Sequence, residues 1–417
     1  LINFPRDVRT GKLIHPMRAL LPTLPACVLL MTAHSARALF RGDEDGPRDY
    51  KLGVEYFQDV AAIRSPRDEA RAHELAESGY LGAGGSITSV DLYLEHHLKL
   101  AIREDNEDGT PAFRGGFEYE EGQDFNASYR HFTLRGGPAL SEDWSFQVVA
   151  LLDGRKELAD FGVSLRRDDG PERFEARLMF PNFVYEGKNP EKGLYEQQPM
   201  NFLLGWQERL EGGVTPWVRS ESDFRSRTRF PEADDHLFVY QSYRNEAGVD
   251  IPVGGWTLFT RAGQVHTRKE VVWASPEGYQ ARLEHATASI EAVSGPRAPG
   301  RLRLGFEYDR LHVSRQSQTP EGDSERMDRN DYILYGYRTF GLPRSFYLDA
   351  GVSLKLGPYA ASPLGEPQYA RTDSGLKSKG IVECGFEGKR LHMGLSPTWD
   401  IDEMKFGGGY AHIRWDM

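Results

Sequence analysis

The sequence contains no long apolar run. None of its 417 residues lies in a stretch of about 18 consecutive apolar residues, so a membrane protein built from helices is excluded. Cysteine is nearly absent, because Cys27 and Cys384 are the only two, and this excludes a small domain held together by several disulfides. Basic residues are outnumbered by acidic ones, 51 to 62, which excludes a general nucleic-acid binder. What the chain does contain is 44 glycines and 12% aromatic residues, which excludes a disordered chain.

The N-terminal segment predicts export. Met17 and Arg18 precede a mostly apolar stretch, and Ala36-Arg37-Ala38 places small residues at the −3 and −1 positions of a cleavage site. We therefore expect an upstream extension at residues 1–16, a signal peptide at residues 17–38 and a single mature domain at residues 39–417. A lipoprotein is an alternative, because the residues from Leu24 to Cys27 resemble a lipobox. A buried N-terminal helix is another, although Pro22 and Pro25 would interrupt it.

Beyond residue 50 the dominant hydrophobic pattern has a period of two, which predicts strands. From Val90 to Ile102 the apolar residues fall on one face and the charged residues on the other, over a length that suits a tilted membrane-crossing strand. The same alternation recurs in Trp144–Leu152, Phe174–Phe180, Leu302–Asp309, Phe346–Leu356 and Ala411–Met417.

Turn residues separate these segments and no long helical pattern interrupts them, so hairpins should connect about 16 strands, with a range of 14–18. Asp108-Gly109, Glu211-Gly212-Gly213 and Gly388 are examples of these turns. Four long polar connections are expected, at residues 61–78, 186–199, 316–330 and 357–379. No internal repeat and no linker divides the chain.

A run of strands this long must protect its edges. A propeller would show a repeat of about 40–50 residues, which is absent. Stacked sandwiches would use shorter strands that bury their apolar face in a core. A bilayer barrel instead turns the apolar face to lipid and the charged face to a wet lumen. That arrangement also explains how a mean hydropathy of −0.56 is compatible with a membrane protein.

The final segment strengthens the barrel interpretation. Phe406 to Met417 combines glycines, alternating hydrophobic residues and Trp415 two residues before the last position. It resembles the C-terminal strand signal of bacterial outer-membrane β-barrels of the porin type, and the resemblance covers residues 39–417. It implies an all-β fold, a transmembrane antiparallel up-and-down β-barrel of about 16 strands, in a Gram-negative type of outer membrane. Implied partners are outer-membrane lipid, lipopolysaccharide, the barrel-assembly machinery and a hydrophilic solute.

One charged segment is a candidate for solute binding. Between Trp217 and Arg229, six charged residues share one parity, so a regular strand would place them on one face. Arginine stays ionised and can bind carboxylate or phosphate with two hydrogen bonds, which suits a pore constriction. The alternative is an exposed strand whose charges neutralise each other. The lumen candidates are Arg219, Glu221, Asp223, Arg225, Arg227 and Arg229, joined by Arg301 and Arg303 on a second charged face.

A search for catalytic motifs gives one weak match. Asp234 and His236 have the spacing found in the omptin barrel proteases, and Asp400 with Asp402 has the spacing of their second acidic pair. The acidic pair follows the histidine here, which is the reverse of the order in that family. We therefore predict no catalytic residue, no metal site and no cofactor. The predicted function is a channel or exporter for hydrophilic solutes, anionic or polyhydroxylated ones included. A barrel enzyme acting on lipid or peptide, and a plugged structural or adhesion barrel, are the alternatives.

Overall fold

The structure of the chain is a computed structural model. It describes residues 80–87, 92–106, 108–123, 128–153, 159–169, 172–181, 194–230, 236–272, 278–295, 300–318, 324–357, 359–362, 371–373, 376–402 and 404–416. The predicted extension, signal peptide and first polar connection lie outside the described residues. No helix in the described part of the chain is long and apolar enough to cross a membrane.

The described residues form twenty-one strands and two short 3₁₀ turns, Glu211–Gly213 and Pro343–Ser345. The strands are β1 (Tyr80–Ile87), β2 (Leu92–Asp105), β3 (Pro111–Gln123), β4 (Ser128–Pro138), β5 (Trp144–Asp153), β6 (Ala159–Asp169), β7 (Glu172–Phe180), β8 (Leu194–Gln197), β9 (Asn201–Gln207), β10 (Thr215–Phe230), β11 (His236–Val253), β12 (Trp256–Val272), β13 (Tyr279–Ser294), β14 (Leu302–Ser317), β15 (Ser324–Gly341), β16 (Phe346–Leu356), β17 (Tyr359–Ser362), β18 (Arg371–Asp373), β19 (Leu376–Glu387), β20 (Leu391–Asp400) and β21 (Lys405–Asp416).

Antiparallel pairing runs from each strand to the next and returns to the first. β1 pairs with β2 on one side, where Tyr80 lies opposite Lys99, and with β21 on the other, where Tyr80 lies opposite Asp416. Three short strands lengthen strands of this circuit and do not add further members to it. β8 pairs with β10 beyond the end of β9, and β17 and β18 continue the β16–β19 hairpin. Eighteen strands of the described chain therefore form the circuit, at the upper end of the predicted range.

The stagger of the strands is that of a wide barrel. Following paired residues once around the circuit returns to β1 displaced by about 20 residues. With strands about 4.8 Å apart and a rise of about 3.3 Å per residue, this stagger gives a tilt of roughly 37° and a radius of roughly 17 Å. Porins of about 16–18 strands enclose a water-filled channel.

The polarity of the sheet is the reverse of that in a soluble protein. On β5, Gln147 is 3% exposed whereas the neighbouring Val148 is 53% exposed. On β15, Asp331 is 1% exposed whereas Leu334 is exposed. The shielded face is the inner wall, where side chains cover one another, and the apolar face points outward. Such an outward apolar band is what a bilayer stabilises, because its hydrocarbon provides the apolar environment.

One side of the barrel is taller than the other. The strands β10 to β15 have 16 to 18 residues each, whereas a tilted strand crosses the apolar layer with about 9–11. β14 and β15 therefore continue into the predicted connection at residues 316–330, and β8, β17 and β18 lie inside the other two described connections. The sequence predicts loops in these segments because both faces of a strand are polar beyond the membrane, and the alternation of apolar and polar residues is then lost.

The two ends of the barrel also differ. One end carries tight connections, such as the two-residue turn between Val253 and Trp256, where Gly254 has a φ of 60° that favours glycine. We call it the short-turn end and the opposite one the loop end. In outer-membrane barrels the short turns face the periplasm and the longer loops face the outside. The predicted strands at Trp144, Phe174, Leu302 and Phe346 are all confirmed.

Candidate functional site

A β-bulge divides the predicted charged strip on β10. Asp223 lies opposite Ser242 and Ser226 lies opposite Tyr240, so β10 has one residue more than β11 across this interval. An extra residue reverses the parity of everything that follows it. The expectation that all six residues share one face is therefore wrong.

The bulge leaves the first half of the strip on the inner wall and moves the second half off it. Arg219, Glu221 and Asp223 keep their inner position. Beyond the bulge the inner row continues through the buried Ser226 and Thr228. Arg227 and Arg229 occupy the opposite face, Arg225 lies within the bulge, and Arg227 Nη2 lies 3.1 Å from Glu196 Oε2 on β8.

The second predicted pair occupies the inner wall nearer the short-turn end. Arg303 is buried, and its Nη2 donates hydrogen bonds of 2.9 and 3.0 Å to the two carboxylate oxygens of Glu291. The Tyr335 hydroxyl donates a third, of 2.9 Å, to the same carboxylate. The carbonyl of Arg301, just before β14, accepts a hydrogen bond from the Thr339 amide. These contacts indicate that Arg303 stabilises the inner wall.

A different set of arginines gathers around the inner half of the strip. Directly paired residues share a face, and the pairing links Arg166 to Glu175 on β7 and Arg219 to Glu246 on β11, with only Gly205 between Glu175 and Arg219. We name this set the arginine patch. It consists of Arg135, Arg166, Arg177, Arg219, Arg244 and Arg261 together with Glu175, Glu221 and Glu246.

Two glutamates of the arginine patch contact its arginines at different distances. Glu246 Oε1 lies 2.7 Å from Arg244 Nη2 and 3.4 Å from Arg261 Nη2. Glu221 is more loosely held, at 3.9 Å from Arg177 Nη2 and 3.7 Å from Arg219 Nη2. The patch therefore brings six arginines together with three glutamates, and Asp223 stands beside Glu221.

Two arginines of the patch are open to solvent. The side chains of Arg219 and Arg244 are 53% and 54% exposed, on the neighbouring strands β10 and β11. Beside them the Asn201 amide donates to Asp223 Oδ1 at 2.8 Å. A half-exposed guanidinium can donate paired hydrogen bonds to a carboxylate, and the amide and carboxylate next to it can bind hydroxyl groups.

One arginine of this patch, Arg219, was predicted from the sequence as a lumen candidate, and the other five were not. Arg177 stood in the alternating pattern of a predicted strand, on its polar face with Glu175, so its inward direction could be read from the sequence. Arg135, Arg166, Arg244 and Arg261 each stand on a different strand. No spacing along the chain signals that they meet, because the register between strands brings them together.

The residues considered for catalysis do not meet. His236 begins β11, Asp400 ends β20, and six strands of the circuit separate them, roughly 30 Å across a barrel of this radius. His236 stacks on Phe230, and Asp402 accepts hydrogen bonds from the amide and hydroxyl of Ser378. Asp234 lies outside the described residues. Among the side chains that the structure describes, no three His, Cys, Asp or Glu residues are grouped to hold a metal ion.

No protein-family model and no curated protein matches the chain. Solved structures resemble it at low similarity. OccK5 (OpdH) of Pseudomonas aeruginosa is 9% identical over 82% of this chain and 99% of that one, with a TM-score of 0.40. OccK2 (OpdF) of the same organism, in complex with glucuronate, is 12% identical over 82% and 96%, with a TM-score of 0.38. The alcaligin outer-membrane receptor FauA of Bordetella pertussis is 9% identical over 82% and 76%, with a TM-score of 0.36. On its own closed antiparallel circuit and outward apolar face, the chain is a transmembrane β-barrel of the outer-membrane type.

Proposed function

We propose that the barrel resides in the outer membrane and is a channel for hydrophilic solutes, with a preference for those that carry a carboxylate or several hydroxyl groups. The arginine patch carries this proposal. It places the two half-exposed guanidinium groups of Arg219 and Arg244 on the inner wall, and positive charge along a lumen attracts ions of the opposite sign.

The arrangement favours passage over tight binding. Arg219 and Arg244 each have a carboxylate within 4 Å, so an entering anion competes with Glu221 and Glu246 for the guanidinium groups. Conduction needs sites that attract a solute and still release it. Solutes such as glucuronate, which combine a carboxylate with hydroxyl groups, match the donors and acceptors of this wall.

Single-channel recording tests the proposal. The full barrel, folded in detergent and shown to be heat-modifiable on gels, is inserted into a phosphatidylcholine bilayer under a KCl gradient. We expect a conductance with a reversal potential of the sign for anion preference, and blocking events when glucuronate is added. A folded barrel without conductance would refute the channel.

A double variant tests the role of the arginine patch in ion selectivity. Arg219→Gln with Arg244→Gln should lower the chloride-to-potassium permeability ratio by roughly twofold or more, because the two half-exposed positive charges of the patch are removed. Arg338→Gln is the matched control, since Arg338 is exposed on the outer face near the short-turn end. An unchanged reversal potential in the double variant would remove the patch from the mechanism.

We further propose that β21 is the strand read by the barrel-assembly machinery. β21 pairs with β20 on one side and with β1 on the other, so its addition closes the circuit. Replacing Trp415, on the outer face of β21, by serine should lower the yield of heat-modifiable barrel in cells while refolding in detergent proceeds. An equal fall in both would indicate a general folding defect instead.

A further inference from the structure

Arginines stand directly opposite one another on the outside of the tall side of the barrel. Arg268 on β12 is paired with Arg282 on β13, and the same row continues through Ser314 to Arg326 on β15. Like charges directly opposite each other destabilise a sheet. The row therefore has a cost to folding that an external anion would offset.

The row lies just beyond the apolar band. On β13 the outward residues from Ser294 to Ala286 span the nine residues that cross the apolar layer, and Arg282 stands four residues further toward the loop end. On β14, Arg310 is the next outward residue after Tyr308, whose ring packs against Tyr332 with centroids 5.2 Å apart. Tyrosines mark the boundary of the apolar layer in such barrels.

Carboxylates account for part of this charge. On the same outer face Glu270 lies 3.5 Å from Arg268, and Asp328 lies 2.6 Å from both Arg326 and His312. Glu284 lies 3.7 Å from His266.

Two arginines of this face are not neutralised. Among the side chains that the structure describes, Arg282 and Arg310 contact no carboxylate, and both are exposed. Their backbone positions are four residues and one strand apart, which is a separation of about 14 Å.

We propose that Arg282 and Arg310 bind the phosphoryl groups of lipopolysaccharide in the outer leaflet. The inference rests on the proposed outer-membrane location. Arginine binds phosphate oxygens with paired, charge-assisted hydrogen bonds. Below the two arginines, the exposed Ile290, Phe306 and Leu334 offer an apolar surface to the acyl chains of the same molecule. A glycolipid with two phosphoryl groups offers one anionic group to each arginine at the edge of the apolar layer.

Binding of purified lipid A to the full barrel in detergent tests this site. Native mass spectrometry counts the lipid molecules retained by the wild type and by the double variant Arg282→Gln with Arg310→Gln. We expect about tenfold weaker retention in the double variant, since two charge-assisted contacts are lost. Arg338→Gln, which removes one outward charge at the short-turn end, should retain lipid A like the wild type.

Two further probes identify what is bound. The wild type should retain lipid A without phosphoryl groups as weakly as the double variant retains lipid A. If the wild type retained both lipids equally, the acyl chains alone would carry binding. Inorganic phosphate at millimolar concentration should not displace lipid A, and displacement would show a site for free anions. Equal retention by wild type and double variant overturns the proposal.

The channel proposal and the lipid-site proposal can be refuted independently of each other. The double variant should keep the wild-type reversal potential in a phosphatidylcholine bilayer, because Arg282 and Arg310 face away from the lumen. The variant Arg219→Gln with Arg244→Gln should keep its lipid A. A barrel that conducts but retains no lipid A would sustain the channel and end the lipid proposal.

Discussion

The ion pair of Arg303 and Glu291 is a sharp test of the inner wall. Their side chains are 5% and 10% exposed, so this pair is shielded from solvent on the inner wall of the barrel. Arg303→Met keeps most of the side-chain volume and removes the charge. Glu291 then retains only the hydroxyl of Tyr335 as a described hydrogen-bond donor. A shielded carboxylate that loses its cation should be strongly destabilising.

The expected magnitude follows from the contacts. Arg303 makes two charge-assisted hydrogen bonds, and removing one partner of a buried ion pair costs about 3–5 kcal/mol. Glu291→Gln in the Arg303→Met background removes the stranded charge, so the double variant should be more stable than Arg303→Met by about 1–3 kcal/mol. Tyr335→Phe in the wild type should cost about 1.5–3 kcal/mol, because it removes a hydrogen bond to a charged group.

Unfolding by urea in lipid vesicles, followed by tryptophan fluorescence, gives the free energy of unfolding for the full cycle of variants. Equal slopes against urea concentration are required before the free energies are compared. If the effects of Arg303→Met and Glu291→Gln simply add, the two groups do not interact as the structure places them, and the reasoning fails.

Three other perturbations have defined outcomes. Gly305→Ala should cost about 1–3 kcal/mol in the same assay, since its Cβ would lie 2.1 Å from the Tyr335 ring, whereas Gly205→Ala, with open space around it, should cost less. Arg227→Gln should leave the reversal potential unchanged, and a shift would place Arg227 back on the inner wall. Hydrogen bonds from the Ser378 side chain and amide lower the pKa of Asp402 below 3.8, so its contribution to stability is complete above pH 3.8 and is lost as the pH falls through the lowered pKa. Asp402→Asn should remove that pH dependence, and equal acid sensitivity of variant and wild type in urea unfolding would contradict it.

Local patterns were sufficient for the class of fold. The period-two alternation in Trp144–Leu152 and Phe346–Leu356 is a property of neighbouring residues, because successive side chains of a strand point to opposite faces. The structure has β5 and β16 at those places. The eighteen strands of the circuit lie within the predicted range of 14–18.

The candidate site depended on information that no single segment contains. Arg219 and Glu221 were placed correctly because their parity is local, but one additional residue after Asp223 moved Arg227 and Arg229 to the other face. Bulges have no hydrophobic signal of their own here, since the segment is polar on both sides.

The sequence by itself determined that this chain alternates, that its strands pair through hairpins, and that its apolar faces need lipid. Only the tertiary structure decided how the strands align. The stagger of about 20 residues around the barrel sets the radius and brings arginines from six strands into one patch. Register arises from pairing between distant segments, and a shift of one residue exchanges the two faces, so the lumen is specified by the closed barrel as a whole.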